Sequence, residues 1–205
     1  MHEPDPPPPP AERLPPIFQE PPDDLDGDWR HGVLLAGLGE YQTMGWIESA
    51  RVYRDAALAL VERALSRGVE WDEAHPALFL CRHTLELYLK AVLPDWKDHL
   101  PKKDQNKHAV APLAARLAEV LEGRYRTEEI ERLCAFIDEF GKIDPKAMVF
   151  RFPDGATETF KKATYSTPPF ELWVDFRQLS ETMVLIYDAL ERVWLNSIGI
   201  QGGRT

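Results

Sequence analysis

The segment Phe79-Leu80-Cys81-Arg82-His83-Thr84-Leu85-Glu86-Leu87-Tyr88-Leu89-Lys90-Ala91-Val92-Leu93 constrains the fold more than any other part of the chain. Apolar residues cover most of its helical circumference, which a helix tolerates only when neighbours bury it on several sides. Over a helix from about Pro76 to Leu93, at 100° per residue, His75, Phe79, Arg82, His83, Glu86 and Lys90 instead crowd into an arc of roughly 100°. This reads as the central helix of a bundle. Its polar stripe either faces a solvent slot or lines an internal site.

The flanking segments are helical too. Trp46, Ala50, Tyr53, Ala57, Leu60 or Val61, and Ala64 share one face of a helix over 46–67, with Gly68 as its stop. A charged connector over 94–108 leads to a third helix that ends near Glu122, with Pro112 in its first turn and Leu113, Leu117 and Val120 inward. Gly123 closes it. Thr127 is expected to cap a fourth helix, with Ile130, Leu133, Cys134, Ile137 and Phe140 buried and Gly141 at its end. Met148 to Phe152 reads as a strand, Pro153-Asp154-Gly155 as a turn and Thr157 to Phe160 as a return strand. Pro168 and Pro169 break the chain before a last helix over about 175–196, which presents Phe176, Leu179, Met183, Ile186, Leu190, Val193 and Trp194 to the core. The expected fold is all-α: a bundle of four to five helices with a small β-hairpin insertion before the last.

The N-terminal region has a different character. Ten of the 18 prolines lie within the first 22 residues. Residues 1–28 hold eight acids against one base, a charge of −7 out of the chain's −10, so the body carries −3. Residues 1–28 are therefore expected to form an acidic, disordered tail, and 29–200 the helical domain. Three readings of the tail stand open: a solubilising segment, a linear motif anchored by Leu14, Ile17 and Phe18, or an acidic mimic of phosphates folding over the chain's own basic site. Residues 29–45 carry four glycines but neither a P-loop nor a dinucleotide fingerprint.

Composition narrows the function classes. The acidic balance argues against a free-standing binder of nucleic-acid backbone. No apolar run approaches the ~20 residues of a membrane span, and the start lacks a signal peptide's basic and apolar regions. Cys81 and Cys134 fit a reducing compartment and core positions. A cytoplasmic location is expected, with no cofactor. No metal site is expected either, because His83 and Glu86 form HxxE, the reverse of the paired ExxH of di-iron bundles.

Two places could carry chemistry. Arg82, Glu86 and Lys90 are spaced i, i+4, i+8, so Glu86 can bridge both bases in ordinary helix ion pairs. Alternatively the stripe is a site, with His83 as a general base, Arg82 stabilising a phosphate or developing anion, and Glu86 holding both. His108, beyond the connector, could join the same end. Arg151 alternates with Phe150 and Phe152: it is solvated if the aromatics point inward, or it faces the stripe and pairs with Glu86 if the hairpin packs face-on.

The segment from Phe79 to Leu93 resembles the central helix of HEPN domains (higher eukaryotes and prokaryotes nucleotide-binding), with their "xHxLExxLKAxL" pattern. Lys107-His108 followed by Leu113, Leu117 and Leu121 is similar to the continuation in that family. The resemblance covers mainly residues 75–122. It implies a helical bundle that often forms homodimers, from a bacterial defence or toxin-type module, recognising RNA or nucleotide. Many members are metal-independent ribonucleases with an R-x(4–6)-H motif. That motif is absent here; the nearest approach, Arg67 to His75, has seven residues between. Two functions follow as expectations. The first is RNA or nucleotide recognition, with His83, Arg82 and Glu86 catalytic if the chain cleaves, and Lys90, His108 and Arg151 as binding residues. The second is a non-catalytic helical adaptor that binds a protein partner through its bundle face and residues 1–28.

Overall fold

A computed structural model describes residues 45–68, 71–100, 108–151 and 173–202. These residues form six helices and no strand. In chain order they are α1 (Trp46–Arg67), α2 (Trp71–Val92), α3 (Trp96–His99), α4 (Ala111–Leu121), α5 (Thr127–Ile143) and α6 (Phe176–Gly202).

α2 is the centre, as its composition requires. All seven residues from Thr84 to Lys90 are buried, and α2 packs against α1, α4 and α6. α1 makes the most extensive of these pairings. It turns Ala50, Ala57 and Ala64, seven apart, into the interface with Ile47 and Val61. Small side chains at that spacing let the two backbones approach closely. Gly68 ends α1 at φ 85°, a conformation that glycine adopts without strain. α2 begins a turn earlier than expected, so that Pro76 lies inside it. Asp72 and Glu73 sit in its first turn, where acidic side chains oppose the helix dipole.

Several boundaries differ from the expectation for local reasons. The connector contains α3, a single turn whose Trp96 is buried in the common core. Arg126, not Thr127, is the N-cap of α5, and it makes no side-chain capping bond. Gly141 does not end α5, which continues to Ile143. A Cβ at Gly141 would stand 3.2 Å from the Ala111 Cβ, so this glycine lets α5 cross the start of α4. Val120, Leu133, Cys134, Phe140, Leu179, Val193 and Trp194, all expected inward, pack against the core but are only partly buried. Asp175 caps α6 by accepting the backbone N–H of Arg177 at 2.8 Å and of Gln178 at 3.2 Å.

The expected strand from Met148 is corrected: residues 148–151 form turns. The Asp144 carboxylate is the reason. Its Oδ1 accepts the N–H groups of Met148 at 2.7 Å and Val149 at 3.0 Å, which a hairpin ladder would need. Ala147 at φ 56° turns the chain further from the extended form. Phe152, the turn and return strand after it, Pro168–Pro169, the glycine-bearing residues up to 44, the tail and the boundary near Trp29 lie outside the described residues. No helix of the described residues is long and apolar enough to cross a membrane.

Candidate functional site

The stripe of α2 divides into two groups. Its inner residues, Arg82, Glu86 and Lys90, are buried at 1%, 1% and 9% exposure. They form one network with His108, from the segment entering α4, and Asp144, from the end of α5. The Glu86 carboxylate is its centre: Oε1 accepts from Lys90 Nζ at 2.7 Å and meets His108 Nδ1 at 2.9 Å, while Oε2 accepts from Arg82 Nη1 at 3.3 Å. Arg82 also donates through Nε to the Asp144 carbonyl at 3.1 Å and through Nη2 to the His108 carbonyl. Asp144 Oδ2 lies 3.4 Å from Arg82 Nε, an ion pair with no hydrogen bond to that oxygen. The Lys90 ammonium lies over the rings of Trp96 and Trp46, 4.7 and 5.1 Å from their centroids.

Two buried cations thus face two buried carboxylates. Burial alone would raise the Glu86 pKa, and it is the largest single effect. Lys90 and His108 together outweigh it and hold the group below its ordinary 4.5. Glu86 is therefore an anion whose oxygens are engaged. All three nitrogens of Arg82 lie on protein acceptors, so reaching a phosphate would mean breaking contacts to α4 and α5. This arrangement ties three segments together.

The outer residues of the stripe form an aromatic cluster. The His83 ring stacks on Phe79, with centroids 5.8 Å apart and planes 6° from parallel, and meets Tyr53 of α1 edge-on at 4.7 Å. Arg151 is exposed and places its guanidinium 5.6 Å from the centre of the Phe79 ring. It lies there rather than on Glu86, whose carboxylate is held by Arg82, Lys90 and His108. His75 meets Phe150 edge-on beside them, at 6.5 Å. Tyr53 is 39% exposed, His83 and Phe79 are half-buried, and the His108 side chain is 53% exposed. These are the groups that a ligand could meet.

The His83 pKa is lowered from its ordinary 6.5. Burial is the main cause, Glu86 opposes it, and His108, Lys90 and Arg82 add repulsion. The imidazole is neutral at pH 7, with one donor and one acceptor nitrogen. Since the unfolded chain holds this proton more tightly, it binds more protons as pH falls through 6.5, and stability drops there. Glu86 acts in the same direction lower down: its contribution is full above 4.5 and is lost as pH falls through its depressed folded value. Thermal melts are expected to show two steps of loss on acidification, with His83→Phe lacking the upper one. A variant that tracks wild type between pH 7 and 5 would assign that step to another group.

Sequence reasoning put Arg82, His83, Glu86 and Lys90 on one stripe, with His83, Arg82 and Glu86 as a catalytic set that His108 could join; the structure brings Arg82, Glu86, Lys90 and His108 together and leaves His83 outside their network. Sequence reasoning missed Asp144, Trp46, Trp96 and Tyr53 as their partners. Asp144 had a signal, an aspartate directly before Pro145 where a helical pattern ends. Among the described residues no group of three or more His, Cys, Asp or Glu could hold a metal ion. Burial pushes the Cys81 thiol up to about 12 and raises Cys134 as well, so neither is a ready thiolate. A second polar cluster joins α1, α2 and α6. Tyr88 Oη donates to Glu191 at 3.1 Å and accepts from Arg54 at 3.3 Å, while Arg51 pairs with Glu191 and covers the Trp194 ring.

No family model, no curated protein and no solved structure matches this chain.

Proposed function

We propose that this chain is a HEPN-like helical protein that recognises single-stranded RNA or a nucleotide, without cleaving it, in a bacterial defence or toxin-type module. The carrying observation is the outer cluster: an exposed Tyr53 ring beside the His83–Phe79 stack, with the Arg151 guanidinium over Phe79. Aromatic rings stack on bases whatever their sequence, and a neighbouring guanidinium pairs with the phosphate between them. Neutral His83 offers a hydrogen bond to a base edge or a 2′-hydroxyl. Cleavage is left out because Arg82, one of the two arginines expected to stabilise a developing anion, with Arg151, is buried and engaged by protein acceptors.

The test is fluorescence anisotropy of labelled single-stranded RNA against the full chain in EDTA, with the RNA then run on a denaturing gel. Binding with intact RNA is expected. Tyr53→Ala should weaken it by roughly tenfold or more, the cost of one lost base stack. With one phosphate contact, at Arg151, the logarithmic salt slope should be shallow, about −0.7. Failure of the wild type to bind overturns the reading and leaves the adaptor. RNA cut in EDTA by wild type and spared by His83→Ala overturns the non-cleaving part and makes the chain a metal-independent ribonuclease.

A further inference from the structure

The His108 ring stands half inside the buried network and half outside it. Its Nδ1 lies 2.9 Å from Glu86 Oε1, and the Glu86 side chain is only 2% exposed, yet the His108 side chain is 53% exposed. The backbone of His108 is pinned as well, because its carbonyl accepts from Arg82 Nη2. An ionised carboxylate only accepts hydrogen bonds, so Nδ1 carries the proton in this contact. The neutral ring then has its lone pair on Nε2, on the edge turned away from Glu86. Among the described residues, Nε2 meets no hydrogen-bonding partner.

Glu86 does not need this third partner for its charge, since Arg82 and Lys90 already face it. The contact serves His108 instead. It fixes one tautomer and one ring orientation, and it sets a carboxylate where positive charge on the ring would be stabilised. Such a ring either activates a neighbouring nucleophile or is one itself. Among the described residues no serine, threonine or cysteine bonds His108, which leaves the ring nitrogen. We propose that His108 Nε2 is a nucleophile that accepts a phosphoryl group, with Glu86 as its positioning residue. The donor is a phosphoramidate or an acyl phosphate. Its P–N or P–O bond breaks as the bond from Nε2 to phosphorus forms, and the electron pair leaves with the departing amine or carboxylate. The imidazole loses no proton: Nδ1–H stays on Glu86, and the ring becomes a cation facing that carboxylate. A phosphoryl group suits this half-exposed edge, because its oxygens stay hydrated and its transfer asks mainly for positioning and charge.

The proposal does not rest on RNA binding and is tested on the full chain with phosphoramidate as donor, in mildly alkaline buffer. Peptide mapping in alkali assigns the label to a residue, and phosphorus NMR tells the Nε2 isomer from the Nδ1 isomer. His108 should be labelled roughly tenfold faster than any other histidine of the chain, the effect of one charge-assisted hydrogen bond that strengthens in the transition state. The label should sit on Nε2 alone. His108→Gln should remove it and keep the fold, because glutamine still offers Glu86 a donor. Glu86→Gln should slow His108 to the rate of the other histidines and let the Nδ1 isomer appear, a split that a purely structural contact would not produce. Overturning results are no label at His108, labelling spread evenly over the histidines, an Nδ1 isomer in wild type, or a folded Glu86→Gln that labels as wild type does. If Glu86→Gln does not fold by circular dichroism, the wild-type rate and isomer still decide.

Discussion

Glu86→Gln is expected to cost about 3–5 kcal/mol of folding stability, the range for breaking a buried, hydrogen-bonded ion pair. Glutamine keeps the shape and one acceptor oxygen but removes the charge on which Arg82 and Lys90 depend, and both cations are at least nine-tenths buried. Asp144 alone would then face them, through a contact to Arg82 only. The Glu86 carboxyl stays ionised despite its burial, so the anion itself is what the network uses. For a chain of this size the loss corresponds to about 10 °C or more in Tm. Adding Lys90→Met to Glu86→Gln should return part of the loss, because it removes one of the stranded cations; the double-mutant cycle then shows coupling. Chemical denaturation measures both effects. If Glu86→Gln unfolds within 1 kcal/mol of wild type, as a site residue working on a ligand would, the network is not a structural one.

The parts of the fold that were legible in the sequence are those fixed by periodicity. α1 runs from Trp46 to Arg67 as expected, because its apolar spacing and Gly68 leave few alternatives. α2 is central because an apolar circumference has to be covered. The misses share a different cause. Met148 to Arg151 alternates like a strand, but the side chain of Asp144 takes the backbone N–H groups that a strand would have paired. Gly141 looks like a helix stop unless the crossing of α4 over α5 is known. α3 forms inside a charged segment because Trp96 finds the core. Each depends on a contact between residues that only the folded chain brings together.

The candidate site follows the same division. The i, i+4, i+8 spacing placed Arg82, Glu86 and Lys90 on one face, and that face is continuous. Periodicity does not tell an internal face from a solvent slot. What decides it is the arrival of Asp144, 62 positions from Arg82, and of His108, 22 from Glu86. Those two partners draw the inner stripe into the core. Phe79 and His83, on the same face but one edge outward, meet Tyr53 of the neighbouring helix instead. A stripe that reads as one site is thus a structural network with a surface cluster beside it.

Arg82→Lys is expected to destabilise the fold by about 1–3 kcal/mol even though it keeps the charge. The guanidinium reaches three acceptors on three segments: Glu86 on α2, the His108 carbonyl before α4 and the Asp144 carbonyl after α5. An ammonium is a single nitrogen at the end of a flexible stem and cannot span that fork. It would keep one of the three contacts: Glu86 would still accept from Lys90 and the Asp144 carbonyl from the Ala147 N–H at 3.3 Å, but a lost contact to the His108 carbonyl costs about 1–3 kcal/mol. Arg82→Met should fall by at least as much, since it removes the charge as well. Hydrogen exchange gives a more local readout: the amides of Met148 and Val149 are held by Asp144 Oδ1, and they should lose protection in Arg82→Lys while those in the middle of α1 keep theirs. If lysine preserves both the melting temperature and that protection, charge alone is what position 82 requires. The fork geometry would then not be what joins α2 to α4 and α5.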